Sequence, residues 1–233
     1  ALYAHALSEG QQLQQLSSCH IKHFCIGCLG DQFFQLWGDL FRIAMPSAEQ
    51  YASRSVRYES KEALYTALLR GEAQIAALLE NEDIHRIGLD FLPFARVPEL
   101  CLFAPGALPV GSDPLPRIHL EELQDHLVAF HNHPGSNSYE DSLRRHLREQ
   151  MPQLQFVDPK DFFTYTSSCP HFTLLLPAIQ YSGHDPAVSL DWGQGHRLGF
   201  VTSPHTDQGV LEYARYIKEH LTAIPNFWEP LTE

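Results

Sequence analysis

The sequence predicts an α/β protein built from two similar Rossmann-like units joined by two crossing segments. Three observations predict it. The order strand, loop, helix, strand, helix, strand occurs twice, the copies beginning about a hundred residues apart. Apolar extended stretches lead out of the first copy and back after the second. The 233 residues are 44% hydrophobic and 19% charged, which is globular composition with enough chain to bury a core.

In the first copy, Phe24-Cys25-Ile26-Gly27-Cys28-Leu29 reads as a strand, Gly30-Asp31-Gln32 as a loop, and Phe33 to Ala44 as a helix. Met45-Pro46 ends that helix, because proline cannot continue the hydrogen-bond ladder. Arg54 to Tyr58 alternates as a strand, Ser60 caps a helix over Lys61 to Leu69, and Gly71 closes it. Gln74 to Leu79 is the next strand.

Phe91 to Pro105 is extended, with interruptions expected at Pro93 and Pro98, and it leads to the second copy. There Leu127 to Phe130 is a strand, His131 to Ser138 a loop, and Tyr139 to Gln150 a helix with Leu143 and Leu147 on its inner face. Met151-Pro152 stops it. A short strand at Gln155 to Val157, a helix from about 161 to 168 and a strand at Phe172 to Leu176 complete the copy. Arg197 to Thr202 is apolar and extended and reads as the return to the first unit. Gln208 to Leu221 is an amphipathic helix. Residues 1–20 read as the end of a polar, Gln-rich helix. The divisions expected are 1–20 as a linker helix, 21–98 with 204–224 as the first unit, 99–203 as the second, and 225–233 as a tail.

Alternating strands and helices imply parallel pairing with right-handed crossovers. In open α/β sheets ligands sit beyond the carboxyl ends of strands, near helix N-termini. Both polar loops fall there, so the two units are expected to face each other across a ligand-binding cleft.

Bulk chemistry excludes several other classes. A net charge of −12 argues against this chain gripping a phosphate backbone by itself. No apolar run approaches the roughly eighteen residues of a membrane span, and no basic segment precedes an apolar one at the start. Five cysteines, an odd count without framework spacing, fit a reducing, cytoplasmic compartment. There is no GxSxG, phosphate-binding loop or HExxH, so the chain is not read as an enzyme, and no cofactor is called for.

Several stretches resemble one known family. "FFQLWGDLFRIAMPSAEQYASRSVRYESKEALYTALLRGEAQIAALL" is close to the first subdomain of LysR-type transcriptional regulators. "IHLEELQDHLVAFHNHPGSNS" is similar to their segment leading into the second, and "LLLP" and "GVLEYARYIKEHL" fit as well. The resemblance runs from about Ala1 to Ile224 and identifies the chain as similar to the effector-binding region of such a regulator. It implies a periplasmic-binding-protein-like (type 2) architecture and a small-molecule effector between the subdomains. It further implies DNA contact through a winged helix-turn-helix that these residues do not include. A homodimer or homotetramer is implied too, pairing the helix after Gln32 with the helix after Ser138 of another copy. Ser168-Cys169-Pro170-His171 departs from the glycine-rich turn usual before the "LLP" strand, and His131-Asn132-His133 is not a general family feature. A free-standing solute-binding protein of similar fold is the alternative.

Candidate effector contacts follow from position in the repeat. Gly30, Asp31 and Gln32 follow the first strand, and Ser60 opens the next helix. In the second unit His131, Asn132 and His133 lead into Ser136, Asn137 and Ser138, where small residues before a helix offer N–H and hydroxyl donors to a polar ligand. An ordinary N-cap is the plain alternative. Phe163 as pocket wall and Thr202 on the returning segment complete the set. His131 and His133 share a face in an extended segment, yet no further ligand is placed beside them, so no metal is expected. Cys25 and Cys28 lie three apart on a strand, hence on opposite faces, and read as buried packing. The spacing of Cys101 and Cys169 gives no reason to assume redox chemistry.

Overall fold

The computed structural model describes residues 22–30, 51–103, 117–131, 137–158, 171–180, 187–192, 195–220 and 229–231. The expected helices over 1–20, 33–44 and 161–168 lie outside these residues.

The first half supplies β1 (Lys22–Leu29), β2 (Tyr51–Tyr58), α1 (Lys61–Arg70), β3 (Ile75–Leu79), α2 (Glu82–Arg86) and β4 (Asp90–Val97). The second supplies β5 (Glu99–Phe103), β6 (Arg117–His119), β7 (Leu127–Phe130), α3 (Asn137–Gln150), β8 (Gln155–Phe156), β9 (Phe172–Pro177) and β10 (Ala187–Asp191). The chain closes with β11 (His196–Thr202), α4 (Gln208–His220) and β12 (Glu229–Pro230).

Two six-stranded sheets result, ordered β2-β1-β3-β11-β4-β12 and β8-β7-β9-β5-β10-β6. They correspond strand for strand. β1 pairs parallel with β2 and β3, as β7 does with β8 and β9. β11 runs antiparallel between β3 and β4, as β5 does between β9 and β10. Only the last edge differs, with β12 antiparallel to β4 and β6 parallel to β10.

The fourth place in each sheet is filled by exchange. β5 follows β4 of the first sheet directly and lies in the second, and β11 follows β10 of the second sheet and lies in the first. The return therefore comes before His196, earlier than the expected position 204. The expected tail also contributes, since Glu229 and Pro230 pair with Arg96 and Ala95.

Burial explains the sheets' composition. Along β5 and β9, Leu100, Leu102, Phe172, Leu174 and Leu176 join one core, while Cys101 and Leu175 join the other. A strand covered on both faces reads as a near-continuous apolar run, hence "ELCLF" and "FTLLLP" rather than an alternating pattern, with Glu99 and Thr173 as buried polar exceptions. α3 lays Leu143 and Leu147 on the second core, each worth about 1.5–3 kcal/mol when fully buried. Val210, Tyr213, Ala214 and Ile217 of α4 form a buried stripe at helical spacing, with the Tyr213 ring centred 4.7 Å from that of Phe24.

Local rules set most boundaries. Ser60 caps α1, its Oγ accepting from Ala63 N at 3.2 Å, and Gly71 ends it in the left-handed region at φ 72°. β2 starts three residues before the expected Arg54, because pairing with β1 runs from Lys22 opposite Tyr51. Pro93 does not interrupt β4, whereas Pro98 separates β4 from β5.

Candidate functional site

Strand register decides which chain ends meet. β1 and β3 are parallel, so Leu29 and Leu79 mark the same end of the first sheet. β11 is antiparallel to β3 with Leu198 opposite Leu79, which puts its first residue, His196, at that end too. In the second sheet β7 and β9 are parallel, and Glu99, first residue of β5, stands opposite Pro177 at their carboxyl ends. Glu99 Oε2 and His196 Nε2 are 2.7 Å apart. The carboxyl ends of the parallel strands in both sheets thus abut the two crossovers. The chain leaves β1 and β7 at this end, each two strands, or about 10 Å, to the side of the strand that follows a crossover.

Strand register places three of the expected contacts, Gly30, Ser60 and His131, at this end. Gly30 follows Leu29 with φ 68°, a conformation that favours glycine. Ser60 follows β2, whose Tyr58 is level with Leu29, and its hydroxyl already serves the α1 cap. His131, half-buried, donates its backbone N–H to Leu175 O at 2.8 Å, which fixes the chain where it leaves β7. Asn137 and Ser138 are the first residues of α3 rather than loop, so the helix starts two residues before the expected Tyr139. Asp31, Gln32, Asn132, His133, Ser136 and Phe163 lie outside the described residues.

Thr202 does not belong with them. It is 4% exposed and pairs with Ile75, the first residue of β3, at the opposite end of the sheet. Four residues of strand, about 13 Å, separate it from Leu198. Its apolar neighbours in the sequence point to a returning strand but not to the direction in which that strand runs.

The junction itself holds polar groups that the sequence reading passes over. Glu99 is fully buried, and burial pushes its carboxyl above the ordinary range, with His196 opposing that shift. Its Oε1 has no hydrogen-bond partner among the described residues, and neither does the buried Nε1 of Trp192. The Trp192 ring lies 5.4 Å from that of His196 and 5.5 Å from that of His146 on α3. A glutamate opening so apolar a strand is the one available signal. Its partner stands 97 residues away, beyond the reach of any local pattern.

The cysteines serve packing. Cys28 joins the first core, and burial pushes its thiol up to about 12 despite a hydrogen bond with Ser55. Burial, then the charge of Glu99, pushes Cys101 well above its ordinary value. An open groove of about 420 Å³ lies at the opposite end of the first sheet, beside Cys25, Arg54 and Gly71. Gln74 there accepts from Cys25 N at 2.5 Å and donates to Gly71 O at 2.8 Å, so its amide is already engaged.

No family model matches the chain, and no curated protein matches it by sequence. Solved structures do match. Full-length CbnR, a LysR family transcriptional regulator, complexed with its target DNA, superposes with a TM-score of 0.64 at 11% identity, covering 94% of this chain and 77% of that one. A sulfate-bound mutant regulatory domain of OxyR2 from Vibrio vulnificus gives 0.60 at 14% identity, covering 87% and 98%. A full-length mutant of BenM gives 0.63 at 14%, covering 99% and 79%. Among the described residues no helix is long and apolar enough to cross a membrane. The chain has the two-subdomain, periplasmic-binding-protein-like fold found in the regulatory domains of LysR-family transcription regulators.

Proposed function

We propose that this chain is the effector-binding part of a LysR-type transcriptional regulator, taking a small polar molecule between its two sheets. One observation carries the reading: β1 and β7, in corresponding places of a doubled fold, end on the sides of the two sheets that meet at the crossovers. The first turn of α3, which opens with Asn137 and Ser138, offers N–H groups that have no partner within the helix, a setting suited to a carboxylate or other acceptor. Asp31, Gln32, His131, His133 and Ser136 complete the proposed walls. Effector binding that differs in free energy between two subdomain or subunit arrangements shifts their populations. A separate DNA-binding domain of the same cytoplasmic regulator passes that shift to the promoter, within a homodimer or homotetramer.

A thermal-shift panel of organic acids, amino acids and aromatic metabolites identifies the effector, and calorimetry then measures it. Ser136→Ala and Asn137→Ala are expected to weaken binding about tenfold or more while circular dichroism stays unchanged, as loss of a hydrogen bond to a charged group costs about 1.5–3 kcal/mol. Unchanged affinity in both variants would place the effector elsewhere and end this reading.

A further inference from the structure

The groove beside Gly71 has a braced floor. The strand order β2-β1-β3 puts Cys25 of β1 between Arg54 of β2, its partner in register, and the turn that leads from α1 into β3. Gln74 pins that turn to the strand. Its Oε1 accepts from Cys25 N at 2.5 Å, its backbone N–H donates to Cys25 O at 2.9 Å, and its Nε2 donates to Gly71 O at 2.8 Å. Thr206 Oγ1 donates to Gln74 O at 3.4 Å. Four bonds hold this one residue, so the floor needs no rearrangement to receive a guest. Cys25 is buried yet belongs to neither apolar core; it lines the groove instead.

The walls carry opposite charges. β2 and β3 lie two strand spacings apart, about 10 Å, so Arg54 and Glu72 rise on opposite sides of Cys25. They form no ion pair with each other. Among the described residues Arg54 makes no hydrogen bond or ion pair, and Glu72 has Arg70 at 3.9 Å, both side chains well exposed. A pair of that kind contributes little and leaves the carboxylate available. Both charges reach the Tyr58 hydroxyl, which burial pushes up first, then Cys25 and Glu72, against the opposing effect of Arg54.

We propose that this groove binds a free amino acid, its carboxylate on the Arg54 guanidinium and its ammonium on the Glu72 carboxylate.

Charge selects the class. A simple anion meets Glu72 and a simple cation meets Arg54, whereas a zwitterion satisfies both walls at once. The net charge of −12 repels anions from a distance but not a molecule without net charge. Size agrees, because about 420 Å³ lies at the small end of the roughly 300–1,000 Å³ range of ligand pockets. A β-carbon on Gly71 would meet nothing within 4 Å, so the space beside the turn is open. Ser53, half-buried, adds a hydroxyl to the Arg54 wall, and the apolar part of the guest lies toward Phe24 and Cys25.

The groove is separate from the proposed effector cleft. Phe24 and Ser53 are each the third residue of their strand, at the end of the sheet opposite Leu29. Neither reading rests on the other.

The test is calorimetric titration of the protein with each of the common protein amino acids in turn. At least one is expected to bind at millimolar concentration or below, and no binding by any of them overturns the proposal. Arg54→Gln and Glu72→Gln, both at exposed positions, are each expected to weaken that ligand about tenfold or more, with an unchanged thermal midpoint in its absence. Derivatives of the ligand make the same test on the wild type should a variant fold poorly. The N-acetyl form, without an ammonium, and the carboxamide, without a carboxylate, are each expected to bind about tenfold or more weaker. Derivatives that bind as well as the parent overturn the proposal. So does binding that survives both groove variants but is weakened by Asn137→Ala, an outcome that places the amino acid in the cleft and leaves that reading standing.

Discussion

Pro93 stands directly opposite Gly199 where β4 and β11 pair, and the register slips by one residue between Leu198 and Gly199. The slip gives an interior strand room for a proline, whose missing N–H would otherwise break the ladder. It also brings the Phe91 ring and Leu92 O over Gly199, so that a β-carbon there would lie 2.5 Å from Phe91 Cζ and 2.7 Å from Leu92 O. The carbonyl cannot swing away as a side-chain tip can. Gly199→Ala is therefore expected to cost about 1–3 kcal/mol, several degrees in the thermal midpoint. A midpoint unchanged in differential scanning calorimetry would show that the bulge is softer than its contacts imply.

Asn81 does two jobs. Its side-chain oxygen caps α2 by accepting from Ile84 N at 3.3 Å, and its amide lies 3.0 Å from the Tyr65 hydroxyl of α1. Asn81→Ala loses both, and about 1–2 kcal/mol is expected. Tyr65→Phe removes only the second contact and should cost less. Urea melts in which the two variants are equally destabilised would place the whole effect in the tyrosine bond, not in the cap.

Elements that depend on nearby residues are legible in the sequence. Ser60 and Gly71 mark both ends of α1, and Leu143 with Leu147 mark the buried side of α3. The doubling is legible as well, because it is a repeated order of local patterns. Pairing across the chain is not. Nothing near Thr202 reveals that β11 runs against β3, so position in the sequence alone puts a residue of the far end into the cleft. Pro93 looks like a break because the strand against which β4 bulges there lies more than a hundred residues later. Glu99 needs His196 to make sense, and that contact exists only once two strands have been exchanged.

Thiol chemistry gives a third prediction. Cys25, Cys28 and Cys101 are buried and free, and the thiols of Cys28 and Cys101 are held protonated by burial. Only a thiolate attacks an alkylating reagent. Folded protein treated with iodoacetamide at pH 8 should carry no label on these two residues, while unfolded protein should be labelled on both. Mass spectrometry of tryptic peptides reads this directly. Rapid labelling of Cys101 in the folded state would mean that the crossover beside Glu99 opens frequently.

His126 sets the acid side of the stability profile. Its Nδ1 lies 2.6 Å from the Thr173 hydroxyl, and its ring meets the ring of His171 edge-on at 5.5 Å. Burial, then the neighbouring His171, lowers its pKa, while Asp125 opposes the shift. The fold therefore prefers the neutral ring. As pH falls through about 6.5, an unfolded histidine takes up a proton that the folded one resists, so unfolding is favoured on acidification. His126→Gln keeps a hydrogen-bonding group beside Thr173 without a titrating ring. Its thermal midpoint is expected to fall less than that of the wild type between pH 7 and pH 5. His126→Gln should thus flatten the acid limb of the profile. Parallel displacement of the whole profile by His126→Gln would show that its ring matters for packing and not for its proton.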